Sequence, residues 1–145
     1  MRLNGVVQDL HARLRPDIFR SNWNYSHLEK FWTDRLNDPN STVAVAAFDS
    51  SLLGYIWFEI QTREQDTFYL PRRRIYIHHI AVDENARSKG VGTKLLDQAE
   101  SEAVRLGIAN VVLDAWALNS IAQGFFGSRG YDPVNIVRSK IVAIG

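Results

Sequence analysis

The sequence predicts an α/β (α+β) fold with a mixed sheet, and three observations support this class. Two helical patterns open the chain, three strand-like apolar runs follow them, and helical and strand-like runs then alternate to the end. The 145 residues are enough for one hydrophobic core, and 46% hydrophobic and 23% charged residues are typical of a soluble globular protein. We therefore expect residues 1–145 to form a single domain.

The composition also excludes several classes of protein. A net charge of +1 gives no strong field for nucleic acid or a membrane surface, so neither is an expected partner. The chain has no cysteine, and no histidine or carboxylate cluster has metal-ligand spacing, so no metal is predicted. No stretch approaches the roughly 20 apolar residues of a membrane span, and the N-terminus lacks a signal-peptide core. We expect a cytoplasmic protein, either monomeric or homodimeric.

The first two elements are predicted to be helices. The first helix should run from about Gly5 to Arg15 and stop at Pro16, because its apolar residues recur at helical spacing. A second helix should begin at Ser26 as its N-cap and end near Asn37. Its predicted buried side consists of Leu28, Phe31, Trp32 and Leu36.

Three strands are predicted next. Thr42–Phe48 and Leu52–Ile60 are rich in apolar and β-branched residues, and the polar Asp49–Ser51 between them indicates a hairpin. Gln61–Arg74 is polar and indicates a loop or the end of a hairpin. The apolar run Ile75–Val82 then predicts the third strand of the chain.

The rest of the chain alternates between helix and strand. Thr93–Leu106 is an amphipathic helix pattern that ends at Gly107, and Asn110–Trp116 is strand-like. Ser120–Arg129 is again helical in pattern, and Val134–Val142 predicts a last strand.

A glycine-bearing turn, Arg87–Gly92, lies between the third strand and the following helix. Backbone N–H groups at a helix N-terminus favour phosphate, and glycine allows close approach of a ligand, so we expect a diphosphate there. The P-loop pattern fails because Thr93-Lys94 follows Gly92. The dinucleotide pattern fails because Leu95 stands where a small residue is needed. A tight turn without a ligand is the alternative that the turn alone leaves open.

Two sequence blocks resemble the GNAT superfamily of N-acetyltransferases. The turn matches that family's [Q/R]-x-x-G-x-[G/A] signature, and a second family block is matched by Asn119, Ala122, Phe125, Phe126, Gly130 and Tyr131. The resemblance covers nearly the whole chain and implies a mixed, mostly antiparallel central sheet, flanked by helices, whose fourth and fifth strands splay apart. Family members usually begin with a strand, for which the sequence has no room before Val6.

The resemblance implies transfer of an acetyl group from acetyl-CoA to a primary amine of a small molecule or peptide. The pyrophosphate of coenzyme A would lie on the turn, and its pantetheine arm would pair with the preceding strand. The implied cofactor-binding residues are Ile80, Ala81, Val82, Arg87, Ser88, Lys89, Gly90, Val91, Gly92, Thr93, Asn119 and Phe126. Asn119 would contact the arm near the thiol end, and it is also a candidate helix cap.

The amine must lose a proton before it attacks, and histidine suits that role near neutral pH. His78 matches the position of the base in several family members, and Tyr76 is a second candidate on the same strand face. Strand alternation predicts that the side chains of His78 and His79 point to opposite faces of the sheet. The alternative to a catalytic role is that His78 is simply a histidine with satisfied contacts within the sheet.

One position departs from the family pattern. Many members have a tyrosine where this chain has Phe126, and phenylalanine has no proton to give the departing thiolate. A weakly catalytic, CoA-binding regulatory or interaction module of the same fold is therefore the alternative function.

Other residues are weaker candidates. The arginine run Arg72–Arg74 could recognise an acidic substrate or nucleic acid, or act in a protein interaction module, although such a run is more often a solvated edge. Glu59 could hold the substrate amine. The four tryptophans, among them Trp23 and Trp57, could line a pocket but are mostly expected in the core.

Overall fold

The computed structural model describes residues 2–21 and 24–144, so the prediction for Trp23 lies outside the described residues. The chain divides into two compact units, Met1–Asp114 and Ala115–Gly145. Of the helices in the described part of the chain, none combines the length and apolar composition that crossing a bilayer requires.

Among the described residues, the first unit contains most of the secondary structure, and the second contains one helix. The elements of the first unit are α1 (Arg2–Leu14), α2 (Tyr25–Leu36), β1 (Ser41–Phe48), β2 (Ser51–Arg63), β3 (Arg72–Val82), a 3-10 turn (Glu84–Ala86), α3 (Val91–Leu106) and β4 (Val111–Leu113). The second unit contains α4 (Ser120–Ser128). The predicted α/β class is confirmed.

Within the described residues the sheet has four strands in the order β1-β2-β3-β4. The first three are antiparallel, whereas β3 and β4 are parallel. The parallel pairing covers only Ile75–Ile77 of β3, although β3 continues to Val82. Among the described residues, the second half of β3 therefore has no strand partner on the side of β4 and presents an open edge there. This opening between β3 and β4 corresponds to the splay that the family resemblance implies between its fourth and fifth strands.

Helix α3 covers one face of the sheet and forms the main core there. Its Leu95, Leu96, Ala99 and Ala103 are buried, as are Ile56, Phe58, Ile75 and Ile77 on the strands. Gly54 of β2 makes this packing possible, because a Cβ there would lie 2.7 Å from the Ala81 carbonyl oxygen and 3.0 Å from Leu95 Cδ1. The first turn of α3 is thus held directly against the strands.

Helices α1 and α2 lie on the opposite face. Leu3, Tyr55 and Ala81 form a buried cluster there, with Val7 and Trp32 packed against it. The prediction that Leu36 is buried is wrong, since 66% of its surface is exposed at the end of α2. The cap of α2 is Asn24 rather than Ser26, because its side chain accepts the N–H of Ser26 at 3.0 Å.

The β1–β2 hairpin is confirmed and has a two-residue loop. Asp49 and Ser50 have φ values of 45° and 65°, as a type I′ turn requires. The β2–β3 hairpin is longer than predicted, because Gln61–Arg63 and Arg72–Arg74 belong to the strands. The polar residues of this segment therefore still pair in the sheet.

The predicted last strand is wrong, because residues 134–142 have no regular secondary structure. Their apolar side chains are largely exposed, with Val137 at 89% and Ile141 at 93%. A β-branched composition favours a strand only where a pairing partner and a packing surface exist. The strand predicted over Asn110–Trp116 is also shorter, because only Val111–Leu113 pair with β3.

Candidate active site

A β-bulge in β3 organises the candidate site. Trp57 of β2 pairs with His79, and the next residue, Phe58, pairs with Ile77. His78 is therefore the extra residue of the bulge and has no direct partner on β2. Such a bulge changes the alternation of side chains along the strand that carries it.

The bulge places both histidines on the face that carries α1 and α2. The His78 ring stacks on the Trp57 ring at 4.1 Å and 13°, and the His79 ring meets the same tryptophan edge-on at 5.2 Å. The prediction that they point to opposite faces is therefore wrong. It assumed an unbroken two-residue period, which the inserted residue interrupts.

His78 faces a carboxylate. Its Nε2 lies 2.8 Å from Oε2 of Glu59, and the two side chains are 25% and 26% exposed. The ring is fixed between Trp57 and Tyr76, whose ring centroid lies 4.7 Å away. Because a carboxylate accepts hydrogen bonds, Nε2 carries the proton and Nδ1 keeps the lone pair when the ring is neutral.

His79 has a different environment. Its Nδ1 lies 3.3 Å from Nδ2 of Asn4 on α1 and 3.4 Å from the hydroxyl of Tyr55. Burial lowers the pKa of His79 to about 4, with a smaller contribution from the positive charge of neighbouring groups. His79 is therefore neutral at neutral pH and is a weak base.

Tyr76 lies on the same face as His78, as predicted, and its hydroxyl donates to Asp114 Oδ2. Burial, and then the hydrogen bond to Asp114, raise the pKa of Tyr76 to about 12. The phenol consequently keeps its proton across the physiological pH range. This makes Tyr76 a poorer base than a histidine.

The open edge of β3 directs backbone groups away from the rest of the sheet. The N–H of Asp83 donates to the Leu53 carbonyl of β2 at 2.8 Å. Because antiparallel pairs alternate, Ala81 also faces β2, whereas the N–H and C=O of Ile80 and Val82 point to the splayed side. An extended ligand could pair with these groups as a strand does.

The turn after β3 is held in place at its start. The Asp83 carboxylate accepts the N–H of Asn85 at 2.9 Å and pairs with Arg2 of α1. The hydrogen bond from Arg2 is the main reason why the pKa of Asp83 lies below its usual range. Ser88 and Gly90 then take left-handed conformations, with φ values of 60° and 77°.

Helix α3 begins without a side-chain cap. Its N-cap is Gly90, and Lys94 N–H is the donor that reaches back to the Gly90 carbonyl at 3.0 Å. The N–H groups of Val91, Gly92 and Thr93 thus lie outside the helical hydrogen-bond pattern. The preceding Arg87, Ser88, Lys89 and Gly90 are exposed. The arrangement has the chemistry of an anion site.

The two candidate residues of the second unit have ordinary structural roles there. Asn119 caps α4, because its Oδ1 accepts the N–H of Ala122 at 3.2 Å, so the cap that the sequence suggested is present. Phe126 is buried at 8% exposure and packs near the rings of Phe125 and Tyr131, at 5.4 and 6.1 Å.

Sequence reasoning missed the partners that define the histidine site. The sequence suggests Glu59 as an amine anchor, whereas in the structure its carboxylate contacts His78. The stacking of Trp57 was also not foreseen. One signal was available: Trp57 and Glu59 are two apart on β2 and therefore share a face.

Comparison with known proteins is consistent with this geometry. A sequence model of the acetyltransferase (GNAT) family matches residues 8–131. Among solved structures, a tetramutant of the BH1408 protein from Bacillus halodurans is similar with a TM-score of 0.90 and 24% identity, over 97% of this chain and 90% of that one.

Two aminoglycoside acetyltransferases share the fold. Meta-AAC0020 from an uncultured soil metagenomic sample has a TM-score of 0.65 and 22% identity, over 99% of this chain and 90% of that one. AAC(6')-IG from Acinetobacter haemolyticus has a TM-score of 0.67 and 22% identity, over 98% and 94%. Because the family match spans most of the sequence, the chain belongs to the acetyltransferase (GNAT) family.

Proposed function

We propose that the protein is an acetyl-CoA-dependent N-acetyltransferase acting on a primary amine of a small molecule or peptide. The observation that carries this proposal is the contact between His78 of β3 and Glu59 of β2, because the open edge of β3 leads directly into the uncapped start of α3. One strand thus carries both a base and the features suited to a thioester donor. We further propose that the two units act as one domain, as a monomer or a homodimer.

The donor would be held mainly by backbone. The N–H groups from Ser88 to Thr93 suit a pyrophosphate, whereas the Arg87 N–H donates to the Glu84 carbonyl at 3.4 Å. Lys89 adds positive charge in an exposed position. Ile80 and Val82 offer backbone groups to the amides of a pantetheine arm, and Ala81 lies between them. Acetyl-CoA would supply the acetyl group as a thioester. On the family resemblance we assign Asn119 and Phe126 to the same cofactor.

His78 would remove the proton from the attacking amine. With Nε2–H donated to Glu59, the lone pair on Nδ1 accepts the amine proton. The amine nitrogen then forms a bond to the acetyl carbon as the carbon–sulfur bond breaks. Glu59 acts by fixing the orientation and tautomer of His78, and by stabilising the imidazolium that results.

The departing thiolate also needs a proton or must leave without one. Phe126 has no hydroxyl, and the Tyr76 hydroxyl is already donated to Asp114. We therefore propose that the thiolate leaves without a dedicated acid or takes its proton from water. This lowers the rate without preventing the reaction, and a weakly catalytic CoA-binding module is the second candidate function.

The test combines binding with turnover. We expect acetyl-CoA to raise the melting temperature, and thiol release to occur with at least one amine from a panel of amino acids, peptides, polyamines and aminoglycosides. Stabilisation without thiol release from any amine would favour the CoA-binding module. Absence of stabilisation by acetyl-CoA at millimolar concentration would contradict both.

A further inference from the structure

The face that carries His78 continues into an arginine-rich surface. Residues at every second position of β3 share this face below the bulge, so Arg72 and Arg74 lie in line with Tyr76 and His78. Opposite them on β2, Arg63 pairs with Arg72 and Gln61 pairs with Arg74. Together these side chains and Thr62 line an open depression of about 300 Å³. We call this depression the arginine end of the face.

Two of its guanidinium groups have no carboxylate partner. Arg63 is paired with Asp66 at 2.9 Å, whereas neither Arg72 nor Arg74 forms a salt bridge within residues 2–21 and 24–144. Arg74 is oriented by its Nε, which donates to Gln61 Oε1 at 2.9 Å, and its guanidinium lies 5.2 Å from the Tyr76 ring centroid. Its two terminal amino groups are therefore available as a fork for an anion.

The other end of the same face carries two carboxylates close to the proposed base, while the Arg35 guanidinium lies over Trp57 at 5.4 Å. Glu59 contacts His78, and Asp114 accepts the hydroxyl of Tyr76. The face thus has negative groups around the proposed base and positive groups farther along the strands. A cationic amine is attracted to the carboxylates near His78, and an anion is attracted to the arginine end.

We propose that the acceptor carries a carboxylate or phosphate group in addition to its primary amine, and that Arg72 and Arg74 bind that group. This inference rests on the proposed acetyltransferase function and specifies its substrate class. At about 3.3 Å per strand residue, Arg74 and Arg72 lie roughly 13 and 20 Å along β3 from His78. The amine and the anion should therefore be separated by about 10–20 Å, as in a short acidic peptide. A polycationic amine would meet the arginine end as a like charge.

The chain provides a matched control on the same strand. Arg73 has the same charge as its neighbours, but alternation places it on the opposite face, and it does not line the depression. Instead it borders a neighbouring depression with Gly107 and Ile108, which shares Thr62, Arg63 and Arg72 with the arginine end. Arg73→Ala therefore removes one positive charge from β3 while keeping both side chains proposed to bind the anion, Arg72 and Arg74.

The experiment compares three amidated five-residue alanine peptides that differ only in their last two residues, which are aspartate, asparagine or arginine. In an extended conformation, each peptide measures roughly 16–18 Å from its N-terminal amine to its last residue. We expect kcat/KM for the aspartate peptide to exceed that for the asparagine peptide by about tenfold, mostly through KM, and to fall as salt rises. The arginine peptide, which adds positive charge without adding a primary amine, should be the poorest of the three.

The arginine variants then locate the effect. The double variant Arg72→Ala/Arg74→Ala should reduce the aspartate-to-asparagine ratio of kcat/KM to about one. Arg73→Ala should leave the ratio unchanged. An equal effect of Arg73→Ala, or a wild-type ratio near one, would overturn the inference.

Failure of the acceptor class is distinguishable from failure of the function. Turnover of a neutral primary amine, such as the asparagine peptide or a small alkylamine, without faster transfer to the aspartate peptide would overturn the acceptor assignment alone. No thiol release with any charged or neutral amine, although acetyl-CoA binds, would instead overturn the transferase proposal.

Discussion

The two sides of the proposed site are built in different ways. The donor side, which is the end of β3 and the turn into α3, consists of backbone groups from one continuous stretch, Ile80–Thr93. The acceptor side, which is the face around His78, consists of side chains from two strands, and residues 59 and 78 meet there because of the bulge. A backbone site depends on local conformation, whereas a side-chain site depends on register.

The largest expected effect comes from removing the proposed base. His78→Ala should reduce kcat/KM for a neutral primary amine by about 10²- to 10³-fold and flatten the rise of rate with pH, because no group then accepts the amine proton. Thiol-release kinetics across pH 6–9 measure this. The melting-temperature shift caused by acetyl-CoA should be unchanged, since the donor side is intact. A loss smaller than tenfold would contradict the assignment.

His79 should influence how the stability of the fold depends on pH, and should have little effect on catalysis at neutral pH. Its pKa is about 4 in the folded protein and 6.5 in the reference state, so between these values the unfolded chain binds more protons. The contribution of neutral His79 to the free energy of unfolding is therefore fully present above pH 6.5. About 3 kcal/mol of that stability is lost as the pH falls toward 4. Urea unfolding at several pH values measures it.

The matched variant for that measurement is His79→Gln. Other carboxyl groups also titrate at low pH, so the quantity to compare is the difference between wild type and variant. That difference should shrink as pH falls from 7 to 4. A constant difference would show that His79 is not held neutral by burial.

A pair of glycine variants separates packing from conformation on the donor side. Gly54→Ala places a Cβ 2.7 Å from the Ala81 carbonyl oxygen, and we expect it to destabilise the fold by about 1–3 kcal/mol. Gly90→Ala meets nothing within 4 Å, but its φ of 77° costs alanine about 1 kcal/mol. Chemical denaturation measures both changes.

Of these two glycine variants, the one with the smaller effect on stability, Gly90→Ala, should have the larger effect on cofactor binding. Gly90→Ala alters the turn itself, so it should weaken acetyl-CoA binding by several-fold or more despite its small effect on stability. In conditions where Gly54→Ala remains folded, its affinity should be nearer to that of wild type. Titration calorimetry with both variants would show whether the turn conformation matters for binding.

The difference between a donor side built from backbone and an acceptor side built from side chains explains which features could be predicted from sequence. The turn and hairpins are governed by nearby residues, so glycine and the polar Asp49-Ser50 loop predicted them. The bulge is not marked by any residue in Ile77–Ile80, because isoleucine and histidine are compatible with both regular and bulged strands. Histidine orientation therefore depended on pairing with Trp57, which local patterns do not contain.

The wrong last strand has a related cause. Residues 134–142 have the same β-branched character as the true strands, but a strand is defined by its partner as well as by its composition. Leu36 similarly fits an apolar helix face yet lies in the last turn of α2, where it is exposed. Periodicity identifies which side chains could be buried, and tertiary packing determines which are.

The most direct measurement is an amide chemical-shift titration of ¹⁵N-labelled protein with coenzyme A. The largest perturbations should fall on the backbone N–H groups of residues 87–93, together with Ile80 and Val82 at the open edge of β3. The face around Arg72 and Arg74 should change little. Saturable binding that leaves these backbone groups unperturbed, or no binding at millimolar coenzyme A, would contradict the donor site proposed for this acetyltransferase fold.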